Sequence, residues 1–247
     1  MKRVLVITVA GTCSRFNKEL QAPVLKCLYS TRDLKDSILF RMIQLGKNFE
    51  KIVLVGGYKF DELKEYVNKM FSLENIDLIY NDHYRDLGSF YSLKLGLEKA
   101  LQYVPQEIVF SEGDLIFDRE SFEKISELPC DIITYSGEPI TANKAVVFYL
   151  SADNCPHYVY DTSHQLLAIN EPFAAIYNSA QVWKFTDITK LRNVLDSLAE
   201  VKEGTNLVLI NDYFSGNNNV YLLGMKKWFN CNTPKDYKKA MEEIQDD

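Results

Sequence analysis

Apolar and polar positions alternate in blocks through the first half of the chain. Residues 3–9 (Arg-Val-Leu-Val-Ile-Thr-Val) are a short β-branched run, whose length and composition predict a buried strand. The run breaks at Ala10-Gly11. Residues 34–45 carry a helical pattern, and residues 51–55 predict a second strand that ends at Gly56-Gly57. A helix beginning near Asp61 places Leu63, Tyr66, Val67, Met70 and Phe71 on one face. A third strand follows at 76–80, then a helix over 89–103 with Phe90, Leu93, Leu97 and Leu101 inward. A fourth strand at 107–110 runs into Ser111-Glu112-Gly113-Asp114. This β-α-β-α-β-α-β order predicts a mostly parallel, Rossmann-like α/β sheet with helices on both faces.

The rhythm changes at Cys130. Residues 131–135, 145–150, 157–161 and 174–177 are strand-like runs with no helices between them, and they predict a small mixed or antiparallel sub-sheet. Helices return at 187–200 and 207–214, and a strand at 220–224 precedes a last helix over 233–244. Thr233 stands at its N-cap, Pro234 at its first position and Asp236 near the capping-box site. Asp118 reads in the same way as the N-cap of a helix over 119–127. With no repeat, low-complexity stretch or linker, the expected organisation is one domain over 1–247. Its core is 1–129 and 181–247, with an insert at 130–180.

Composition narrows the class. The 247 residues suffice for one large domain. A net charge of −6 without a dense Lys/Arg stripe argues against a nucleic-acid surface. Five scattered cysteines (Cys13, Cys27, Cys130, Cys155, Cys231) show no zinc spacing, and a reduced cytoplasmic setting is the simplest context. The N-terminus runs straight into a strand, and no apolar stretch is long enough to span a bilayer. The expectation is a cytoplasmic protein without membrane insertion.

The candidate chemistry begins where the first strand ends. Ala10, Gly11, Thr12, Cys13 and Ser14 form a small-residue loop, followed by Arg15 and, eleven residues later, Lys26. Backbone N–H groups beside fixed positive charge suit a polyphosphate. It is not a Walker loop, because no Gly-Lys-Ser/Thr follows, and the third glycine of a dinucleotide fingerprint is missing. The three histidines, His83, His157 and His164, show no triad or ligand spacing.

Five segments in order carry a resemblance. Residues 10–16 with Lys26 resemble the A-G-x-G-[ST]-R…P-K loop of sugar-phosphate and alcohol-phosphate nucleotidyltransferases. Leu87-Gly88-Ser89-Phe90-Tyr91-Ser92-Leu93 is similar to their nucleotide-contacting loop and helix start, and Gly113-Asp114 to their metal-binding Gly-Asp. Asn81 stands where many members have an Asn. Residues 228–237 resemble the closing [WF]-F-N-x-N-T-P-x-D-[LY] of the molybdenum-cofactor guanylyltransferase-like branch. The resemblance covers residues 3–118 and 220–245. It implies a GT-A-like, nucleotide-diphospho-sugar-transferase-like fold.

It also implies roles. Arg15 and Lys26 would be catalytic, on the leaving pyrophosphate and the reacting phosphate. Residues 10–14 with Asn81, Gly88, Ser89 and Ser92 would bind the nucleotide, and Asp114 and Asn232 would hold Mg²⁺ through oxygen. The layout looks closest to choline-phosphate cytidylyltransferase-like enzymes, implying CMP transfer from CTP to a phosphorylated alcohol or amino acceptor. The tyrosine-rich insert would then form the acceptor pocket, with Tyr135, Tyr158, Tyr160, Asp161 and Glu171 around a cationic head. The same tyrosines also fit the core of a small sheet.

A sugar 1-phosphate acceptor, a GT-A-type glycosyltransferase and a non-catalytic nucleotide-binding module stay open alternatives. Two positions depart from the pattern. Cys13 replaces the loop's second glycine, so a positive φ there would be strained, and Leu25 stands where a Pro usually precedes the lysine.

Overall fold

In the computed structural model, Leu5, Ile7 and Val9 of the first strand point to one side of the sheet and Val4 and Val6 to the other. That alternation builds two cores back to back. Residues 2–141, 145–159, 167–201 and 203–244 are described. In chain order the elements are β1 (Arg3–Val9), α1 (Ser14–Leu20), α2 (Ile38–Leu45), β2 (Lys51–Gly56), α3 (Phe60–Met70), β3 (Ile76–Tyr80) and α4 (Ser89–Leu101). Then come β4 (Glu107–Glu112), β5 (Leu115–Phe117), α5 (Arg119–Glu127), β6 (Ile132–Ser136), β7 (Val147–Ser151), β8 (Pro156–Tyr158) and β9 (Phe173–Phe185). The chain closes with α6 (Ile188–Ser197), α7 (Leu207–Phe214), β10 (Tyr221–Gly224), β11 (Trp228–Asn230) and α8 (Pro234–Ile244).

The main sheet runs β10-β6-β9-β4-β1-β2-β3. Strands β4, β1, β2 and β3 are parallel neighbours, and β10 lies parallel to β6. Of these seven strands only β9 runs against the rest, antiparallel to both β4 and β6. Helices α1, α2, α3, α5 and α8 pack on one face, through Phe16, Ile38, Leu63, Phe122 and Tyr237 among others. Helices α4, α6 and α7 cover the other face, through Phe90, Leu93, Leu97, Leu191, Ile210 and Phe214. Each large apolar side chain so buried contributes about 1.5–3 kcal/mol. The mostly parallel, two-face-covered sheet is the architecture that the strand–helix alternation predicts.

The second half departs from its sequence reading most in the long strand β9. Residues 174–177 read as a short strand, whereas β9 is 13 residues long and fully buried from Asn178 to Phe185. Its polar residues obscured the pattern. Thr134 Oγ1 donates to Val182 O at 2.7 Å, and the fully buried Lys184 ammonium lies 2.8 Å from Glu107 of β4 and donates to Leu128 O at 2.7 Å. The boundary expected at residue 180 therefore falls inside a central strand. The hairpin β7–β8 stands off the parallel core, paired to the first half of β9.

Two short strands missed in the sequence shape the site. β11 pairs antiparallel with β5, Trp228 opposite Phe117 and Asn230 opposite Leu115. This carries residues 231–232 to Asp114, whose carbonyl accepts from Cys231 N at 2.8 Å.

Candidate active site

The carboxyl ends of β1 and β4 open into a cleft of about 410 Å³, lined among others by residues 10–13, Lys26, Tyr84, Gly88, Ser89, Ser92, Glu112 and Asp114. Parallel sheets place ligand sites at this edge, where successive strands feed separate loops. Crowding makes two glycines necessary there. A Cβ on Gly113 would stand 2.3 Å from Val9 Cγ1, and one on Gly88 would stand 2.0 Å from Gly204 O.

The loop after β1 turns through Cys13 in the left-handed region, at φ 57° and ψ 28°. The strain expected for a non-glycine residue at this point is present, on the order of 1–2 kcal/mol. Cys13 also ties in the lysine segment. Lys26 N donates to Cys13 Sγ at 3.4 Å. Burial pushes the Cys13 thiol above its ordinary pKa, the direction that disfavours a thiolate.

Lys26 Nζ reaches across the cleft to Asp114 Oδ2 at 2.8 Å and lies 3.5 Å from Asn232 Oδ1. Arg15 Nη2 donates to the same Asn232 oxygen at 3.0 Å, and Asn232 Nδ2 donates to Asn230 Oδ1 at 2.8 Å. Burial alone would lower the lysine pKa, but the Asp114 carboxylate outweighs it and the net shift is upward. Two cations and two oxygen acceptors, Asn232 and Asp114, 206 and 88 residues from Lys26 in sequence, thus share one cluster.

Beside it stands Glu112, which the sequence reading did not assign. Thr8 Oγ1 donates to its Oε2 at 3.2 Å, and Asn206 Nδ2 donates to its Oε1. Burial, and then the neighbouring Asp114 charge, raises its pKa to about 7 against the two hydrogen bonds. Asn206 is itself fixed. Its N–H donates to Ser89 Oγ at 3.0 Å, and the Ser89 hydroxyl donates back to its Oδ1 at 3.4 Å. Tyr84 and Arg85 on the lining were also missed, and Arg85 lies over the Tyr84 ring at 5.3 Å. The one sequence signal for Glu112 was a charge closing an apolar strand directly before Gly-Asp. Asn206 had none.

Other expected residues fall elsewhere. Ser14 begins α1. Asn81 is fully buried behind the wall, where its Nδ2 donates to Ser92 Oγ at 2.9 Å and its Oδ1 accepts from His83 N at 2.8 Å. It positions Ser92 rather than lining the cleft. Asp118 accepts from Ser121 N at 2.8 Å as a helix cap.

The acceptor set needs correction. Tyr158 is buried in the core, and its hydroxyl accepts from Trp183 Nε1 at 2.6 Å and bonds Ser179 Oγ at 3.2 Å, which leaves it no surface for a ligand. Tyr135 packs on Tyr177 with ring centroids 4.9 Å apart. Glu171 accepts from the Tyr149 hydroxyl on the hairpin side. None of the three lines the cleft, and Tyr160 and Asp161 lie outside the described residues.

For a divalent cation, the donor chemistry fits. No group of three or more His, Cys, Asp or Glu gathers among the described residues. Asp114 and Asn232, however, both direct oxygens at one ammonium, which marks a point between them suited to positive charge. Two protein oxygens completed by phosphate oxygens are a usual Mg²⁺ arrangement. No helix among the described residues is long and apolar enough to cross a membrane.

The fold has solved counterparts. The inositol-1-phosphate CTP transferase from T. maritima superposes with a TM-score of 0.68 at 19% identity, over 99% of this chain and 96% of that one. The CTP:phosphocholine cytidylyltransferase from Streptococcus pneumoniae gives 0.64 at 17% identity, over 99% and 100%. A Bacillus anthracis protein described as a candidate glucose-1-phosphate thymidylyltransferase, solved with sucrose, gives 0.67 at 14% identity, over 99% and 96%. At these identities the likeness establishes the fold alone, a mostly parallel central sheet with helices and a small antiparallel sheet shared with these three proteins. No curated protein matches at the sequence level. The model of one family, described as Domain of unknown function (DUF6564), matches residues 22–244.

Proposed function

The chain belongs to the DUF6564 family, and from that premise we propose that it is a nucleotidyltransferase. It moves a nucleoside monophosphate from an NTP to a small phosphomonoester and releases pyrophosphate. The observation that carries this reading is the cluster of Lys26, Asp114, Asn232 and Arg15 beside the left-handed turn at Cys13.

An acceptor phosphate oxygen attacks the α-phosphorus, forming one P–O bond. The bond from that phosphorus to the α,β-bridging oxygen breaks, and its electron pair leaves with pyrophosphate. Little covalent work falls to the protein, so charge neutralisation and positioning dominate. Residues 10–13 cradle the phosphates, Lys26 neutralises the reacting phosphate, and Arg15 holds the leaving group with a fork of donors. Asp114 and Asn232 would hold Mg²⁺, which when bound offsets triphosphate charge. These chain groups must exchange partners as substrate enters, because Lys26 and Arg15 are held by the two oxygen ligands.

CTP is the first candidate donor, since two of the structural neighbours are CTP enzymes by description. For the acceptor, the aromatic-cage argument for a cationic head loses Tyr158 to the core. A cyclic polyol or sugar 1-phosphate is therefore as well supported as phosphocholine, in keeping with two of the neighbours. Pyrophosphate release across four NTPs, each paired with phosphocholine, inositol 1-phosphate and glucose 1-phosphate, tests the proposal. One pair is expected to turn over with stoichiometric diphosphate-linked product. NTP binding without turnover of any pair would leave a nucleotide-binding module instead.

A further inference from the structure

On the reading that this cleft holds a nucleoside triphosphate, we propose that Glu112 recognises the ribose. Its two carboxylate oxygens accept hydrogen bonds from the 2′- and 3′-hydroxyls and so select ribonucleotides over 2′-deoxyribonucleotides.

Three observations carry this assignment. The first is that Glu112 has acceptor capacity to spare. It closes β4 opposite Thr8 of β1, faces the cleft and has no ion-pair partner among the described residues. One protein donor reaches each oxygen, the Thr8 hydroxyl on Oε2 and the Asn206 amide on Oε1. Every carboxylate oxygen offers two lone-pair sites. One therefore remains on each, side by side, which is the complement of a vicinal diol. Carboxylates read ribose in this way in dinucleotide sites.

The second is that the carboxyl group is pre-set. Asn206 is pinned through both its N–H and its Oδ1 to Ser89, so the group that orients Glu112 cannot swing freely. A polar group held in place at the wall of a cleft discriminates more sharply than a mobile one, because little order is lost on binding.

The third is charge order along the cleft. Lys26 and the turn at residues 10–13 form the phosphate end, where the Asp114 charge is offset by Lys26 at 2.8 Å, whereas Glu112 forms no ion pair among the described residues and its carboxylate repels phosphate. The uncharged part of a nucleotide must therefore face Glu112. Glu112 and Asp114 are two residues apart, at most about 7 Å along the chain, comparable to the span from an α-phosphate to the hydroxyl edge of its ribose. The base would then lie farther out, towards Tyr84 and Gly88.

The test compares matched nucleotide pairs (CTP with dCTP, GTP with dGTP, ATP with dATP) at about pH 8.5, where the Glu112 side chain is a carboxylate, and at a fixed acceptor concentration, in wild type and Glu112→Gln. Wild type is expected to favour the ribonucleotide by about tenfold to a hundredfold in kcat/KM, the worth of one or two hydrogen bonds to a charged acceptor. Glu112→Gln turns one acceptor into a donor. It should bring the ratio within a few-fold of unity, mainly by losing ribonucleotide rate. Asn206→Ala, which frees Glu112 without removing it, should reduce the ratio in the same direction and serves if the glutamine variant does not fold.

An unchanged ribo-to-deoxy ratio in these variants overturns the assignment. So does a variant that alters only the CTP-to-UTP ratio, which would place a base amine at Glu112, or only the KM for the acceptor, which would place the acceptor's head there. Wild-type turnover with no ribo-to-deoxy preference defeats the ribose assignment alone. Absence of NTP binding to wild type defeats the nucleotidyltransferase reading as well.

Discussion

The Lys26 ammonium and the Asp114 carboxylate are 2.8 Å apart, a part-buried ion pair on the lining of the cleft. Neither group is left unpaired while the site waits. On the proposed reading, a triphosphate with its cation would supply both with new partners, so the exchange would cost less than removing either charge from water without replacement.

This pair should be visible in stability and in turnover. A double-mutant cycle of Lys26→Met and Asp114→Asn, followed by urea unfolding, is expected to show a coupling energy of about 1 kcal/mol or more. Strict additivity would mean that the pair is not formed in solution. Lys26→Met should lower kcat/KM on the order of a hundredfold or more, and Asp114→Ala should abolish Mg²⁺-dependent turnover with the fold intact. Full activity in either variant removes that residue from the chemistry.

Glu112 makes stability depend on pH in an unusual direction for a carboxylate. Its folded pKa is about 7 against 4.5 for the ordinary group. The stability held by its protonated form is complete below about pH 4.5 and is lost as pH rises through 7. The loss is up to about 3 kcal/mol. Glu112→Gln keeps a neutral group at every pH. Between pH 5 and pH 8 the variant should therefore gain on wild type by up to about that amount in denaturant titrations. Parallel pH profiles of the two proteins would contradict the shift.

Cys13 offers a test of backbone strain. Cys13→Gly relieves the left-handed strain but adds freedom to the unfolded chain and loses the sulfur contact to Lys26 N. Its stability should lie within about 1 kcal/mol of wild type. Cys13→Val forces a β-branched residue into φ 57° and should cost about 1–2 kcal/mol. Equal losses in thermal melts of the two variants would show that the turn is not left-handed.

The Lys184–Glu107 pair sits inside the sheet with both side chains almost fully buried. Lys184→Met leaves the buried Glu107 carboxylate with only Arg3, 4.0 Å away, and should destabilise by about 3 kcal/mol. Adding Glu107→Leu should recover most of that loss in equilibrium unfolding. No recovery would mean that Lys184 acts through its bonds to Ile125 and Leu128 carbonyls rather than through the charge pair.

Most of the first half was legible because periodicity reports burial directly. β1, β3 and α5 occupy the predicted spans, and Thr233 and Asp236 form the expected reciprocal cap, N–H to side chain in both directions at 2.8 and 3.1 Å. β9 was underread because its own polar residues, Lys184 above all, find their partners inside the core, and such pairing leaves no trace in a single-sequence pattern. β5 and β11 were missed because three residues cannot display a period.

The chain alone determined the parallel sheet, the small-residue loop after β1, the Lys26 and Arg15 charges, Asp114 and the Cys13 departure, since each rests on local composition and spacing. Tertiary structure decided what those residues do together. The β5–β11 pairing carries Asn232 to Lys26, and the N-terminal end of α7 brings Asn206 to Glu112. The same packing buries Tyr158 away from any ligand. Contacts between residues about a hundred or two hundred positions apart follow from strand order and helix docking, and no local pattern encodes them.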